Sequence, residues 1–206
     1  MFDAFNSLRN IVATWRLAGK FGKRRLLNLY KKILIARGIE SIMEKEYEEV
    51  LKKKVGGKFV VYATGQEAGP VAICDFLEKD DYLMPAYRGV AAVIGKGIAP
   101  RSIFAELLSR RGGPLKGVGN AGSFTEPSLG IFPHSDILGN NFGTAVGMGL
   151  AIADQPNGPI VTIFFGDGAS TRSTFYGALN LSSLWDLPIF WVCENNKYSL
   201  ATRYDR

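Results

Sequence analysis

Pro159-Ile160-Val161-Thr162-Ile163-Phe164-Phe165-Gly166-Asp167-Gly168 is the stretch on which the fold turns. Its first seven residues are almost wholly apolar and β-branched and do not alternate with polar ones. That is the pattern of a strand buried on both faces, as in parallel sheets covered by helices. Gly166-Asp167-Gly168 breaks the run with turn-forming residues. Downstream, Ser173 to Trp185 suits a helix, Pro188 to Cys193 is a second apolar strand, and Asn195-Asn196 follows it. Strand, helix and strand make one βαβ unit, and a right-handed crossover makes its strands parallel. The expected fold class is therefore α/β with a parallel sheet.

Working upstream, a Gly/Ala-rich stretch from Asn141 to Ala153 reads as a helix packed very close to its neighbours. Before it, Gly112 to Gly130 is rich in Gly, Asn, Ser and Pro and reads as a long loop, a length usually tied to function or disorder. Shorter helices are expected over Arg101 to Arg110 and Gln66 to Leu77. From Leu26 to Lys54, Leu26, Leu29, Tyr30, Ile33 and Leu34 recur at helical spacing. Glu48 with Lys52 and Glu49 with Lys53 are acid-first pairs four residues apart, which favour helix. Gly38 leaves open whether this is one helix or two, and Gly56-Gly57 ends it.

The 206 residues suffice for one full domain, and 47% hydrophobic content provides a sizeable core. The net charge of +6 is modest. Its basic residues (Lys20, Lys23, Arg24, Arg25, Lys31, Lys32, Lys52, Lys53 and Lys54) gather in the first quarter of the chain and read first as a solvated helix face. No basic stretch interleaved with aromatics points to nucleic acid. No apolar run reaches the roughly 20 residues of a membrane span. Residues 1–25 carry one acid, Asp3, and read as a basic amphipathic leader or docking helix, with residues 26–206 as the α/β domain. Cys74 and Cys193 lie in apolar surroundings and read as buried free thiols of a reducing compartment, the cytoplasm or, in a eukaryote, the mitochondrial matrix.

Ligands of parallel α/β sheets bind outside the carboxyl ends of the strands. Asp167 follows the first strand and Asn196 the second, so adjacent strands bring a carboxylate and an amide carbonyl to one crevice. Both are hard oxygen ligands suited to Mg²⁺ or Ca²⁺. Gly166 and Gly168 lack Cβ and allow backbone amides to approach a diphosphate, with the positive end of the next helix behind them. Gly-Asp-Gly alone is often only a turn, and Asn-Asn only a cap. Both at strand ends, with 26 residues between Gly168 and Asn195, make a far more specific pattern.

Gly-Asp-Gly, a gap of that length and Asn-Asn resemble the signature of thiamine diphosphate (TPP)-dependent enzymes. The nearer resemblance is to the α subunit of the decarboxylase component of 2-oxo acid dehydrogenases of the pyruvate, branched-chain and acetoin types. It is carried by Gly65-Gln66-Glu67-Ala68, Tyr87-Arg88, Arg110-Arg111-Gly112-Gly113, Ala178-Leu179-Asn180, Leu187-Pro188 and Glu194-Asn195-Asn196-Lys197-Tyr198. The resemblance implies a TPP-binding fold, with Mg²⁺ held by Asp167, the Asn196 side chain and the Tyr198 carbonyl. It implies diphosphate contacts from Gly166, Gly168 and Ala169, from Tyr87, and from Arg88 through its charged fork. Leu138 matches an apolar position against the cofactor. The implied partners are a β-type subunit completing the site, a lipoyl domain and a small 2-oxo acid.

The chain departs from the family where the family places histidines. Gly89-Val90 follows the Tyr-Arg pair, Val61 precedes Gly65-Gln66, and Gly122-Ser123-Phe124-Thr125 stands for Gly-Ser-Met-His. Arg172 and Gly177 replace acids, and Asp136 replaces a glycine. His134, the chain's single histidine, matches no family histidine and reads as a loop residue. Phosphate-binding residues are kept and acid–base residues are not, so cofactor binding is better supported than turnover. The family also runs on past Asn196 through further strands, so the domain is expected to be incomplete at its C-terminus. Open alternatives are a catalytically impaired TPP-binding or assembly protein and a transketolase-like half-subunit. A nucleotide-diphosphate binder is disfavoured, since no Gly-x-Gly-x-x-Gly follows a strand.

Overall fold

A computed structural model describes residues 19–52, 61–119, 122–156, 158–199 and 201–205. Three parallel strands, β1 (Tyr82–Met84), β2 (Val161–Gly166) and β3 (Ile189–Glu194), form a sheet in the order β1-β2-β3. The helices are α1 (Lys23–Lys52), α2 (Ala68–Cys74), α3 (Val90–Lys96), α4 (Pro100–Leu107), α5 (Asn140–Ile152) and α6 (Ser173–Leu184). A small antiparallel hairpin, β4 (Tyr198–Ser199) with β5 (Thr202–Arg203), follows β3.

Side chains on a strand point alternately to opposite faces, and the core divides accordingly. Leu83, Phe164 and Val192 join Ala36 and Ile39 of α1, Val71 of α2 and Val93 of α3 on one face. Met84, Ile163, Phe165 and Trp191 join Phe142 and Ala145 of α5 and Ala178 of α6 on the other. Phe142, Phe165, Phe175 and Trp191 lie with ring centroids 5.0–6.4 Å apart, tying both helices to β2 and β3. Such aromatic pairs add to simple area burial. The mixed helix and parallel-sheet architecture is the α/β class expected from the sequence.

Val161 to Phe165 are all buried, as the unbroken apolar run requires. β3 has the same composition but stays partly exposed, because only β2 pairs with it among the described residues. This corrects the reading of the thiols: Cys74 is buried, whereas Cys193 on β3 is exposed. β1 carried no strand signal, being three residues long. It is held by Tyr82 N–H donating 2.8 Å to the Ile160 carbonyl, and by Ile160 N–H donating 2.9 Å to Asp81 Oδ1.

Gly38 does not divide α1, which runs as one helix. The expected stop at Gly56-Gly57 lies outside the described residues, as do residues 1–18 of the proposed leader. Its described end is tied down: Arg25 pairs with Asp75 at 2.8 Å and lies over the Phe76 ring, and Lys32 reaches Asp75 at 3.0 Å. Part of the basic cluster thus fastens α1 to α2 and is not simply solvated. The close packing expected of α5 is visible at Gly149, where a Cβ would come within 2.7 Å of Ile189. The long loop before α5 contains a 3₁₀ turn, Pro127–Leu129. The buried Glu106 carboxylate gathers the loop's first part by accepting N–H bonds from Leu115, Gly117 and Gly119 at 2.9–3.0 Å. Among the described residues no helix is long and apolar enough to cross a membrane.

Candidate cofactor site

The site grows from the register of β2 on β3. Gly166 pairs with Glu194, so Asp167 and Asn195-Asn196 leave neighbouring strands at the same end of the sheet. Asp167 opens a turn in which its carbonyl accepts from Ser170 N–H at 3.2 Å and Ser170 Oγ at 2.7 Å. The turn passes through a 3₁₀ segment, Ala169–Thr171, into α6. Two Asx turns shape the other strand end. Asn195 Oδ1 accepts from Lys197 N–H and Asn196 Oδ1 from Tyr198 N–H, each at 2.9 Å, with Lys197 in the left-handed region.

The two turns touch. A Cβ built on Gly168 would lie 2.5 Å from Ser199 Oγ and 2.8 Å from Ser199 Cβ. Gly168 has ordinary helical angles, φ −62° and ψ −30°, so close approach, not backbone freedom, is what requires glycine here. The residue after Tyr198 therefore packs on the residue after Asp167. Asp167, Asn196 and Tyr198 bring one carboxylate, one amide oxygen and one carbonyl to adjoining turns. No cluster of three or more His, Cys, Asp or Glu placed to hold a metal exists among the described residues. A cation here would rely on this sparse hard-oxygen set, which suits Mg²⁺ sharing its shell with phosphate and water. Asn196 Oδ1 retains a second lone pair beyond its Tyr198 bond.

A small cavity of about 30 Å³ opens where β1 and β2 end. Tyr87, Leu138, Gly166 and Ala169 line it, together with Phe142, Phe165 and His134. Gly166 faces open space, with nothing within 4 Å of a Cβ placed there. Four of the nine site residues expected from the sequence thus meet in one crevice. Asp167, Gly168, Asn196 and Tyr198 lie on the turns just beyond, outside its lining. Arg88 is also outside it. Its guanidinium lies 4.5 Å from the Tyr87 ring centroid and hydrogen-bonds the Tyr87 hydroxyl.

Burial raises the Glu194 carboxyl to about 7, against the opposing pull of Arg88. Elsewhere, Glu67 in the Gly-Gln-Glu-Ala motif accepts from the Arg37 fork, with Arg37 Nη2 at 2.8 Å, and from Gly65 N–H at 3.0 Å. The Arg37 hydrogen bond, with help from the backbone N–H groups, holds its carboxyl down near 2 despite burial. That motif braces α1 against the start of α2 and does not line the crevice.

His134, read in the sequence as a loop residue, is buried in the crevice wall. Spacing alone could not find it, because the loop geometry that folds it inward is set by Asn141 Oδ1, which accepts from Ser135 N–H at 2.9 Å. Phe165 belongs to the apolar run read as a buried strand, and with Phe142 it also lines the cavity.

A family model described as dehydrogenase E1 component matches residues 27–206. The pyruvate dehydrogenase E1 component subunit alpha, mitochondrial, of Dictyostelium discoideum is 33% identical over 189 residues, covering 89% of this chain and 47% of the relative. The acetoin:2,6-dichlorophenolindophenol oxidoreductase subunits alpha of Bacillus subtilis and Cupriavidus necator are 31% and 32% identical, each match covering 89% of this chain and 54% of the relative. The chain spans about half the length of the curated relatives it matches.

Proposed function

The chain belongs to the dehydrogenase E1 component family, and on that premise we propose that it is the diphosphate- and Mg²⁺-binding part of an α-type subunit of a 2-oxo acid dehydrogenase. The reaction is oxidative decarboxylation of a 2-oxo acid with acyl transfer to a lipoyl domain. The observation that carries the reading is the contact of the Gly168 turn with Ser199, beside a cavity lined by Tyr87, Leu138, Gly166 and Ala169.

In this reading Asp167, the Asn196 side chain and the Tyr198 carbonyl hold Mg²⁺. Gly166, Gly168 and Ala169 admit the diphosphate, and Tyr87 and Arg88 face it from the β1 side, Arg88 as a charged donor. Leu138 packs against the apolar body of the cofactor. When bound, thiamine diphosphate supplies the carbanion-stabilising chemistry. This chain's residues bind it, orient it and exclude water. A β-type subunit completes the site, and the exposed Tyr176, Leu184 and Phe190 beside β3 are consistent with a covered face. The compartment is the cytoplasm, or the mitochondrial matrix if the source is eukaryotic. Residues 1–25 serve as a basic leader or docking segment ahead of the 26–206 domain.

A second reading, a TPP-binding or assembly protein with impaired turnover, is favoured by Val61, Gly89-Val90 and Thr125 at positions where the family carries histidine. A lipoyl-dependent assay with a β-type subunit added separates the two, since only a competent subunit acylates lipoyl. The binding reading itself is tested by calorimetric titration with TPP, with and without Mg²⁺. Binding is expected to depend on Mg²⁺ and to weaken more than 100-fold in Asp167→Ala, in line with the loss of a charged ligand. Absence of binding with a β-type partner present, or binding indifferent to Asp167→Ala, refutes it.

A further inference from the structure

Helix α1 carries apolar side chains on two sides, and only one of them is covered. Ala36, Ile39 and Met43 are buried in the core, and Leu29 and Ile33 pack partly against it. Leu27, Tyr30 and Leu34, at i, i+3 and i+7 along the same helix, remain 52–59% exposed. Side chains at that spacing are neighbours on one face. Ile42, 50% exposed, continues the stripe, which is about 22 Å long at the rise of an α-helix. A helix that is apolar on both sides is normally covered on both.

The charge beside this stripe is of one sign. No acid lies between Asp3 and Glu40, against nine lysines and arginines. Arg25 and Lys32 pair with Asp75, and Arg37 with Glu67. Lys23, Arg24 and Lys31 are exposed, and among the described residues of α1 the first exposed acid is Glu44. Lys23 and Arg24 stand one turn before Leu27, and Lys31 one turn from both Leu27 and Leu34. A second copy of this face would set like charges against one another. A protein surface also fits less well than a lipid one, because the cores of protein interfaces are depleted in lysine. Leucine and tyrosine flanked by Lys and Arg are instead the composition of helices lying in the boundary of a bilayer. There the long basic side chains carry their charges to the headgroups while their stems stay with the apolar residues.

We propose that the outer face of the first half of α1 binds an anionic lipid surface, with Leu27, Tyr30 and Leu34 entering the headgroup boundary and Lys23, Arg24 and Lys31 meeting lipid phosphates. The helix lies on the bilayer and does not cross it, being too polar to span. Its opposite face stays packed on the domain through Ala36, Ile39 and Met43. The proposal does not rest on the cofactor reading, since the crevice is lined by other elements.

Co-sedimentation of the full chain with phosphatidylcholine vesicles, with and without phosphatidylglycerol, tests this. Binding is expected only where phosphatidylglycerol is present, and it should weaken as salt is raised. Each cation near such a surface is worth about fivefold, so the triple variant Lys23→Gln, Arg24→Gln, Lys31→Gln should bind about 100-fold more weakly. The double variant Leu27→Ser, Leu34→Ser changes only exposed positions and should lose about 10-fold through its apolar contacts. Thermal denaturation is expected to show both variants as stable as the wild type. Equal binding to neutral vesicles overturns the proposal. So does anionic binding unmoved in either variant, since attachment then lies outside this face. Binding to polyglutamate with none to the anionic vesicles assigns the face to an acidic polypeptide and overturns it as well.

Discussion

Gly168→Ala isolates the contact that joins the two halves of the candidate cation site. The backbone at Gly168 accepts alanine without strain, at φ −62° and ψ −30°. Removing the glycine's freedom in the unfolded chain even favours folding by about 0.4–1 kcal/mol. The obstacle is the new methyl group, which meets Ser199 Oγ at 2.5 Å where ordinary contact begins at 3.4 Å. The serine must retreat by about 0.9 Å, the difference between those distances. Overpacking in a rigid core costs about 1–3 kcal/mol, but Ser199 sits on an exposed two-residue strand and can move. Stability is therefore expected to change by less than about 1 kcal/mol. Moving Ser199 drags Tyr198 and Asn196 away from Asp167, however, and Mg²⁺ demands near-ideal geometry at about 2.1 Å. Mg²⁺-dependent TPP affinity is expected to fall about 10- to 100-fold, the range seen when the support of a metal ligand is lost. Thermal denaturation measures the first quantity and calorimetric titration the second. Ser199→Gly removes both atoms the methyl group meets, so the double variant should regain most of the affinity. Unchanged affinity in Gly168→Ala, or no rescue in the double variant, refutes the argument that this contact sets the ligand geometry.

Three further outcomes follow from ionisation and exposure. The Glu67 carboxyl is held near 2 in the folded chain by Arg37, so its stabilisation is complete above about pH 4.5 and is lost as pH falls through about 2. Denaturant melts of Glu67→Gln against wild type should show the wild type as the more stable protein at pH 7 and the gap narrowing below pH 4.5. Burial raises Glu194 to about 7, so the opposite sign applies. Stability should fall as pH rises from about 4.5 to about 7, and Glu194→Gln should be the more stable protein above pH 7 by about 1–3 kcal/mol, with a pH-independent difference counting against the argument. In the native protein a thiol reagent should modify Cys193 and spare Cys74, which is buried and whose thiol burial pushes up to about 12; mass spectrometry locates the adduct, and equal labelling of both would contradict the packing.

What was legible in the sequence was legible for local reasons. The unbroken apolar run at Val161–Phe165, the turn residues after it and the repeat of strand and turn at Ile189–Asn196 each declare themselves within a few residues. Helices α5 and α6 fell within a residue or two of the expected ends. The expectation of adjacent strand ends was sound for the same reason, since a single βαβ unit has few arrangements. β1 escaped notice because three residues carry no measurable period, and its strand character comes from pairing with β2. Gly38 looked like a breaker because propensity is a weak prior; Ala36, Ile39 and Met43 around it are buried and override it.

The candidate site divides along the same line. The placement of Asp167, Asn196 and the glycines flanking Asp167 could be read from the sequence because it follows from position at strand ends. The depth of His134, its pairing with Asp136 and the pressure of Ser199 on Gly168 could not, because each is a contact between segments whose spacing along the chain says nothing of distance in space. Cys193 shows the limit in its simplest form. Its neighbours along the chain are those of a core strand, yet it is exposed, because burial depends on what lies beside β3 and not on what β3 is made of. By itself the sequence determined the order of the later elements, the parallel pairing of β2 with β3 and which residues stand at their ends, all of which follow from short-range periodicity and turn stereochemistry. Only the tertiary structure decided which of those groups share a crevice, which strand face is covered and how deeply the imidazole of His134 is buried, since those are set by packing between distant segments.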